Sequence, residues 1–272
     1  MASVHRPPIP ALRGLVATVW AQDAPSMRLG VGRERALPTG ATHIALRFDG
    51  PPLLLFDDAA DMRGHRLGHA VVGGARTRYH VRDVSQPSAS VGAMLRPGAA
   101  RVLLGVPEDA LAGHHTPLDC LLHASEVDAL LTRLQACVGA AARLEMFERW
   151  LTGRAQGLPP ALHPALVRSM RPEVHDSRVA ERVKASGLSH RHYIAQFRQA
   201  TGLAPREWLA LQRFAQALDL AADPSLGWAE IAVASGFADQ AHLANTFKTV
   251  AGFTPSEWRR RADPNAPRHV RC

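Results

Sequence analysis

The C-terminal third of the chain repeats itself. Residues 179–209 align with residues 228–259 at an offset of 49, which becomes 50 after one extra residue enters the second copy. The matched positions include Gly202 with Gly252, Pro205 with Pro255 and Trp208 with Trp258. A register held over roughly 30 residues indicates a duplicated module, and two copies are too few for a solenoid.

Each copy has the sequence plan of a helix-turn-helix unit. A short helix is predicted at about 178–185 and again at 228–234, and each ends before a glycine suited to a left-handed C-cap. After a short turn, Ser189 or Asp239 is predicted to cap a second helix. A helix, a short turn and a second helix form the helix-turn-helix motif. Residues 205–223 are predicted to form one long amphipathic helix that joins the two units.

The second helix of each copy has two different faces. Tyr193 and Phe197, and their counterparts Leu243 and Phe247, recur at helical spacing and are predicted to be buried. The opposite faces carry polar and small side chains. The major groove of B-DNA admits a helix, and Gln, Asn and Arg match the donors and acceptors of base edges. The alternative for any single polar residue is an ordinary solvated helix face, and the duplication of the pattern argues against it.

The segment Ala232–Arg259 resembles the second unit of the DNA-binding domain of the AraC/XylS family of transcription regulators, and the resemblance extends over about residues 160–262. It implies that the helices at 189–201 and 239–250 enter successive segments of the major groove. It also implies a set of DNA contacts and two helix N-caps near phosphate. The implied DNA contacts are Arg191, Ile194, Ala195 and Arg198 in the first unit and Gln240, Ala241, Ala244, Asn245 and Lys248 in the second, with Ser189 and Asp239 as the N-caps.

The chain departs from the family pattern at two of these positions. Family members often carry Arg where this chain has Ala195 and Asn245. The first unit is therefore expected to contribute less direct base readout, and the target sequence cannot be taken from a relative. The departure also keeps open an alternative, an interaction or effector-sequestering protein that retains the fold without binding DNA.

The first half of the chain has a different pattern of apolar residues and turn signals. Short apolar runs separated by Gly and Pro turns predict β-strands in a sandwich or barrel-like domain, followed by helices near 124–152. The stretches LPTGATHIALRFDG, VVGGARTRYHV and LRPGAARVLLGVPEDAL resemble the β-rich N-terminal domain of one branch of the same family, a sensor or dimerisation unit. The fold class is thus predicted to be α+β. The predicted parts are a regulatory domain at 1–155, a linker at Gln156–Pro160, an all-α DNA-binding domain at 161–262 and a flexible tail at 263–272.

The composition agrees with this interpretation without requiring it. The formal net charge is +8, and all but two of the 32 cationic side chains are arginines, which suits a polyanionic partner. The charge is divided evenly between the two halves, so it defines no DNA-binding segment by itself. No apolar run approaches the roughly 18 residues of a membrane span, and no signal peptide is recognised, so a cytoplasmic protein is expected.

The sequence offers little that is typical of an enzyme. The His65–His69 pair lies in a predicted glycine-rich loop, and His114, His115 and Cys120 are predicted to lie in a solvated loop and helix start. Some DNA-repair methyltransferases join an AraC-type domain to a reactive cysteine, so cysteine-based methyl transfer remains an alternative. Cys120 and Cys137 lack the local motif of an activated thiolate. No catalytic residue, metal or cofactor is therefore predicted.

The predicted partner is double-stranded DNA at a promoter or operator. A small-molecule effector is a second candidate partner, to which the sequence assigns no residues, and a regulator that needs no effector is kept as an alternative. Contact with RNA polymerase and pairing with a second copy of the chain are left open. The sequence also does not decide between activation and repression. Dimerisation is not required, because two units in one chain can occupy adjacent groove segments. The helices near 124–152 are the expected place for coupling between effector and DNA.

Overall fold

The structure is a computed structural model that describes residues 3–23, 32–58, 60–155, 162, 164–170, 179–263 and 266–272. The predicted linker at 156–160 lies outside the described residues. The chain is α+β, as predicted: a β-rich N-terminal part precedes a run of helices. Its strands form two open antiparallel sheets of six strands each, and neither sheet closes into a barrel.

The strands are short, and burial alternates along β3 and β4. The first sheet has the order β1-β2-β9-β4-β7-β10, and the second has the order β11-β12-β3-β8-β5-β6. The strands are β1 Ser3–Arg6, β2 Val16–Gln22, β3 Arg33–Ala36, β4 His43–Asp49, β5 Leu53–Phe56, β6 His65–Gly68, β7 Ala70–Gly73, β8 His80–Asp83, β9 Ala89–Leu95, β10 His115–Pro117, β11 Ala262–Asp263 and β12 Ala266–Arg271.

The helices divide between the two halves. The first four belong to the N-terminal half, and the rest form the C-terminal domain. They are α1 Ala99–Leu104, α2 Glu108–Leu111, α3 Ala124–Ala136, α4 Ala140–Arg154, α5 Pro164–Ser169, α6 Val179–Ser186, α7 His190–Thr201, α8 Pro205–Leu220, α9 Trp228–Ala234, α10 Gln240–Ala251 and α11 Pro255–Arg261.

The first sheet buries only one of its faces in an apolar core. On β4 the residues Ile44, Leu46 and Phe48 are buried together with apolar side chains of α3 and α4. The alternate residues of the same strand, including His43 and Arg47, are half-buried and face the second sheet. The apolar core of the N-terminal half therefore lies between the first sheet and the α3–α4 hairpin, and the space between the two sheets is polar.

The C-terminal helices surround a second core of aromatic side chains. Tyr193, Phe197 and Phe247 are fully buried there. The matched residues Trp208 and Trp258 belong to this core and are 8 % and 2 % exposed. Two residues of the N-terminal half, Leu37 and Ala75, belong to the same core. The two halves thus share buried apolar surface.

The prediction of a flexible tail at 263–272 is wrong for the described part of that segment. Strand β12 pairs with β3, with Val270 opposite Arg35, and Val270 is fully buried. The indole N–H of Trp258 donates to the carbonyl of Pro267 over 3.1 Å. The unpaired edge of β3 supplies the backbone groups that order the segment, which its polar, proline-rich sequence did not suggest. The end of the chain therefore completes a sheet of the N-terminal half.

Two predicted loops are strands. Residues 65–68 form β6, which pairs with β5, although they were predicted to lie in a glycine-rich loop. His115 was predicted in a solvated loop, but it begins β10, which pairs with β7 and places His115 opposite Gly73. Both strands lie at sheet edges, where the partner strand rather than the local sequence decides the conformation.

Candidate nucleic-acid interface

Helices α7 and α10 present the same surface pattern. Each has 12 residues, and the order of buried, half-buried and exposed side chains is identical at every position. Tyr193, Phe197 and Ala200 are buried in α7, and Leu243, Phe247 and Val250 are buried in α10. The duplication seen in the sequence therefore holds in three dimensions, with each helix turning one face to the core and the other to solvent.

The ends of both helices are built alike. Ser189 Oγ accepts a hydrogen bond from the backbone N–H of His192 over 3.3 Å, and Asp239 Oδ1 accepts one from His242 N–H over 2.7 Å. Each helix ends at a glycine in the left-handed conformation, Gly202 with φ of 76° or Gly252 with φ of 71°. These caps satisfy backbone groups that helix ends otherwise leave free.

The outer faces carry cations and amides. Of the sequence-predicted contacts, Ile194 and Ala244 are half-buried, and Ile194 packs against the second core. The others are exposed: Arg191, Ala195, Arg198, Gln240, Ala241, Asn245 and Lys248. Neither helix contains a carboxylate, so both outer faces are neutral or positive.

The two matched histidines, His192 and His242, are exposed. They remain hydrogen-bonded. His192 Nε2 lies 2.5 Å from Gln196 Nε2, and His242 Nδ1 accepts from the Ala238 N–H over 3.5 Å. They lie one position before the buried Tyr193 and Leu243, on the solvent side of each helix, and so add to the exposed surface.

The N-terminal half holds both helices at matched carbonyls. The Gly98 N–H donates to the carbonyl of Ala200, and the Tyr79 N–H donates to the carbonyl of Val250, each over 2.8 Å. Ala200 and Val250 are counterparts at the offset of 50. The C-terminal end of each helix is therefore fixed by one backbone donor of the N-terminal half.

The second of these contacts is reinforced by a side chain. Arg35 Nη1 donates to the carbonyl of Gly252 over 2.6 Å. Its guanidinium group lies 4.6 Å from the ring centroid of Tyr79 and 4.0 Å from that of Phe253. These three hydrogen bonds to the ends of α7 and α10 come from Gly98, Tyr79 and Arg35, which lie outside the helices near 124–152 where coupling was expected.

An exposed loop brings acidic groups together without forming a chemical site. Asp57, Asp61 and His65 each offer a ligand atom within 4.8 Å of the others. Asp61 Oδ1 accepts from the backbone N–H groups of Arg63 and Gly64, over 2.9 and 3.1 Å, and these bonds lower the pKa of Asp61. The carboxylate of Asp61 is thus used to shape the loop.

The cysteines show no shared environment. Cys120 is exposed and Cys137 is half-buried, and both are free thiols. Burial raises the pKa of Cys272, which disfavours its thiolate. In the part of the chain that the structure describes, no helix is both long and apolar enough to cross a membrane.

A polar cluster between the two sheets was missed by sequence reasoning. We call it the inter-sheet cluster. Its rings lie close together, with the His80 and His115 centroids 4.5 Å apart and those of His43 and His115 6.0 Å apart. The Arg76 Nη2 lies 2.8 Å from His115 Nδ1. The inter-sheet cluster comprises Trp20, His43, Arg76, His80, Arg82 and His115.

Burial sets the charge of this cluster. It lowers the pKa of His43 to about 4 and that of His115 to about 2, and it lowers the pKa of His80 further still. The three histidines are therefore neutral at pH 7. Burial acting alone would raise the pKa of Glu34, but the Arg82 guanidinium and His269 outweigh it and hold the pKa at about 2. The charge of Arg82 is thus balanced by Glu34, at 2.5 Å.

Comparison with known proteins covers most of the chain. Residues 183–261 match the family model described as a helix-turn-helix domain, and residues 4–117 match a domain of unknown function, DUF6597. An AraC-like transcription regulator of Streptomyces antibioticus is 30 % identical over 115 residues, which are 42 % of this chain and 37 % of that protein. The chain therefore spans little more than a third of that relative's length.

Solved structures with a similar arrangement are those of ToxT from Vibrio cholerae. A structure at 1.65 Å resolution is 11 % identical, covers 96 % of this chain and 98 % of its own, and has a TM-score of 0.47. Another, bound to (E)-4-(8-methylnaphthalen-1-yl)but-3-enoic acid, is also 11 % identical, with coverages of 96 % and 99 % and a TM-score of 0.46. The duplicated helix-turn-helix plan agrees with the domain match at 183–261, and over 115 residues the chain is similar to an AraC-like transcription regulator.

Proposed function

We propose that the chain is a sequence-specific regulator of transcription that presents α7 and α10 to successive major-groove segments of double-stranded DNA. The observation that carries the proposal is the identical exposure of the two helices at all 12 positions. Two helices with the same buried and exposed positions are suited to bind in the same way at two places on a periodic surface. B-DNA offers such a surface, with a helical turn of roughly 34–36 Å.

The residues have distinct proposed roles. Asn245 and Gln240 offer paired donors and acceptors to adenine, and Arg191 offers a fork to guanine. Ile194, Ala195, Ala241 and Ala244 allow close approach and meet thymine methyl groups. Arg198 and Lys248 contact phosphates, and the helix N-termini capped by Ser189 and Asp239 add backbone donors for phosphate oxygens.

The N-terminal half is proposed to regulate this binding. It contacts the C-terminal ends of both helices through Gly98, Tyr79 and Arg35, so a change in its conformation would change how the helices are held. A small molecule acts in this way only if it binds one arrangement better than another. The proposal needs no second copy, because the chain already carries two units. Contact with RNA polymerase, an intracellular location and the absence of an enzymatic activity belong to the same proposal.

The experiment that tests this function is a pull-down of genomic DNA fragments with the full chain at near-physiological salt. The proposal predicts enrichment of one shared motif with two segments spaced to match adjacent groove turns. Arg66→Ala, which removes an exposed arginine on β6 far along the chain from both units, serves as a control and should enrich the same motif. Salt-sensitive binding without a shared motif would contradict base readout.

A further inference from the structure

We propose that the edge of strand β3 is a binding surface for an extended peptide, and that the end of the chain is its detachable occupant. We call residues 266–272, which comprise β12 and Cys272, the C-terminal strap. The strap detaches as one unit, and its release frees α10 from the N-terminal half while α7 stays held. Detachment does not depend on DNA, whereas its regulatory consequence rests on the function proposed above.

The C-terminal strap binds β3 through backbone groups along its length. The two strands pair antiparallel. At one end of the pairing, the Leu37 N–H donates to the carbonyl of Arg268 over 2.8 Å. At the other end, the Cys272 N–H donates to the carbonyl of Arg33 over 3.2 Å. An open strand edge binds an extended peptide in this way, because the main-chain hydrogen bonds supply the affinity.

Side chains of the C-terminal strap add few contacts. Val270 is fully buried, and the other side chains of the strap are half-buried or exposed. Arg268 Nη1 donates to the carbonyl of Pro38 over 2.8 Å, and Nδ1 of the exposed His269 lies 3.0 Å from Glu34 Oε1. A segment that buries so little apolar surface opens at a lower free energy than the whole domain unfolds.

The N-terminal half keeps its buried charge paired when the strap leaves. Glu34 is 4 % exposed, and its Oε1 accepts from Arg82 Nε over 2.5 Å. Arg82 lies on β8, so Glu34 retains a cationic partner within the N-terminal half. The backbone groups of β3 that the strap leaves behind lie at the edge of the sheet, where water can satisfy them. Detachment therefore avoids the cost of an unpaired buried carboxylate.

The C-terminal strap is attached to the second helix-turn-helix unit. It follows α11 along the chain, and the indole N–H of Trp258 on α11 donates to the carbonyl of Pro267 over 3.1 Å. Val270 of the strap lies opposite Arg35, which donates to the carbonyl of Gly252 at the end of α10. Release of the strap therefore loosens α11 and the contact at Gly252 together.

The contact that holds α7 belongs to the other sheet. Gly98, whose N–H donates to the carbonyl of Ala200, follows β9 of the first sheet. Tyr79, whose N–H donates to the carbonyl of Val250, directly precedes β8, and β8 pairs with β3 in the second sheet. A change at the edge of β3 should therefore reach α10 before it reaches α7.

Hydrogen exchange of the wild-type full chain, followed by NMR, tests the detachment without any substitution. The Leu37 and Tyr79 amides should become exposed together, and roughly 10-fold or more faster than the Gly98 amide after correction for intrinsic rates. Equal protection of all three amides would show that the strap does not open separately. A protected Tyr79 beside an exchanging Leu37 would show that α10 is not freed with it.

Two arginines of the strap provide matched variants. Arg268→Ala removes the hydrogen bond to Pro38 and should speed exchange of the Leu37 and Tyr79 amides roughly 10-fold. Arg271→Ala removes an exposed arginine of the same strand and should leave both rates unchanged. Unchanged rates in Arg268→Ala, or equal acceleration in both variants, would contradict the assigned contact.

A shortened chain that ends after Asp263 tests whether the edge of β3 accepts a peptide. A fluorescein-labelled peptide of residues 264–272, carrying Cys272→Ser, should bind the shortened chain in an anisotropy titration. It should not bind the full chain at the same concentrations, because the attached strap competes at a high effective concentration. Adding Val270→Asp to the peptide should weaken its binding roughly 10-fold or more.

Two results of the titration would overturn the peptide-binding surface. These are equal binding to both chains, and no binding to a shortened chain that still unfolds cooperatively in urea. The exchange measurement uses the wild-type chain, so it decides the proposal even if the shortened chain fails to fold.

DNA binding by both chains separates this proposal from the proposed function. The shortened chain should bind the two-segment genomic motif roughly 10-fold more weakly, because its second unit must be ordered again on binding. Equal affinity of the two chains would refute the regulatory consequence. Separate exchange of the strap, without sequence-specific DNA binding by either chain, would leave the strap standing while refuting the proposed function.

Discussion

The two helix-turn-helix units share one surface plan but are held by different chemistry. The end of α7 meets backbone groups, namely the Gly98 N–H and the carbonyl of Glu108, which lies 3.0 Å from where a Cβ on Gly202 would be. The end of α10 meets the Tyr79 N–H and, in addition, a side chain: Arg35 donates to the carbonyl of Gly252, and its guanidinium group lies against the Phe253 ring. The comparison shows that duplication preserved the exposed faces while the docking contacts diverged. The contacts at the end of α7 and those at the end of α10 should therefore be weakened by different substitutions.

The units also differ inside. Arg182 of the first unit is 4 % exposed, and its counterpart in the second unit is Ile231, which is fully buried. Burial lowers the pKa of Arg182, with a contribution from the nearby charge of Arg213. Because a buried cation brings less net stabilisation than an aliphatic side chain of similar volume, the first unit is expected to be the less stable of the two.

The largest expected effect is the loss of stability caused by Gly252→Ala, at the contact between the end of α10 and the N-terminal half. The added Cβ would lie 2.4 Å from Tyr79 Cε1, and the residue has φ of +71°. Strain in the left-handed conformation and the clash together should cost about 2–5 kcal/mol in urea unfolding. Gly187→Ala has the same φ but no atom within 4 Å. It should cost only about 1–2 kcal/mol. Equal losses would show that the contact with Tyr79 does not matter.

Glu108→Gln tests whether the contact between α2 and α7 loses stability as the pH rises. Glu108 is 2 % exposed on α2, which packs against α7. Burial raises the pKa of Glu108 to about 7 from 4.5, although the Ala100 N–H and Arg101 oppose the shift. The folded state therefore binds the proton more tightly than the unfolded state, and stability is lost as pH rises from about 4.5 through about 7.

The variant removes that loss. Glu108→Gln should be about 3 kcal/mol more stable than the wild type at pH 8, and close to it at pH 4.5, by urea unfolding. The exposed Glu145→Gln is the control and should keep the wild-type pH dependence. A wild-type stability that rises between pH 5 and pH 8, with no flattening in Glu108→Gln, would contradict the assignment.

Asn245→Ala tests the readout of the second unit. We expect a loss of about 1–3 kcal/mol on the selected DNA site and little change on random DNA, because an amide pairs with one base only. Fluorescence anisotropy with both DNAs measures the two values. Similar losses on both would make Asn245 a nonspecific contact and weaken the contrast with Ala195, its counterpart in the first unit.

The smallest expected effect concerns a helix start. Thr254 Oγ1 accepts from the Glu257 N–H over 3.2 Å, and Glu257 Oε2 accepts from the Thr254 N–H over 2.7 Å. The first unit keeps only the second of these bonds, from Ala204 to Glu207. Thr254→Ala should therefore lower the free energy of unfolding by about 0.5–2 kcal/mol, measured by thermal unfolding. The separate variant Ala204→Thr adds the missing cap to the first unit and should raise the free energy of unfolding by part of that amount. No change in either variant would argue against the cap.

The sequence predicted the C-terminal domain better than the N-terminal half. Helices α6 to α11 follow from local signals, such as the N-caps Ser189 and Asp239 and the prolines that start α8 and α11. Strands such as β3, with the sequence RERA, carry no apolar alternation, and only their partner strands determine them. The local sequence pattern therefore predicts helices, whose ends carry their own signals. It misses strands that form only by pairing with distant segments.

The inter-sheet cluster could not be predicted from the sequence for the same reason. His43, His80 and His115 come from three strands far apart in the chain, and only the packing of the two sheets brings them together. One signal was present. The alternation of His43, Ala45 and Arg47 with buried Ile44, Leu46 and Phe48 shows that β4 has one polar face. Such a polar face, directed at another sheet, indicates polar side chains between the two sheets.

The most direct test of the central claim is a hydroxyl-radical footprint of the full chain on the DNA motif recovered from genomic fragments. If α7 and α10 both read DNA, two protected segments should appear on one face of the duplex, about 10 base pairs apart. Asn245→Ala should then weaken the segment bound by the second unit. A single protected segment, or uniform protection that shifts with salt alone, would contradict two-helix recognition.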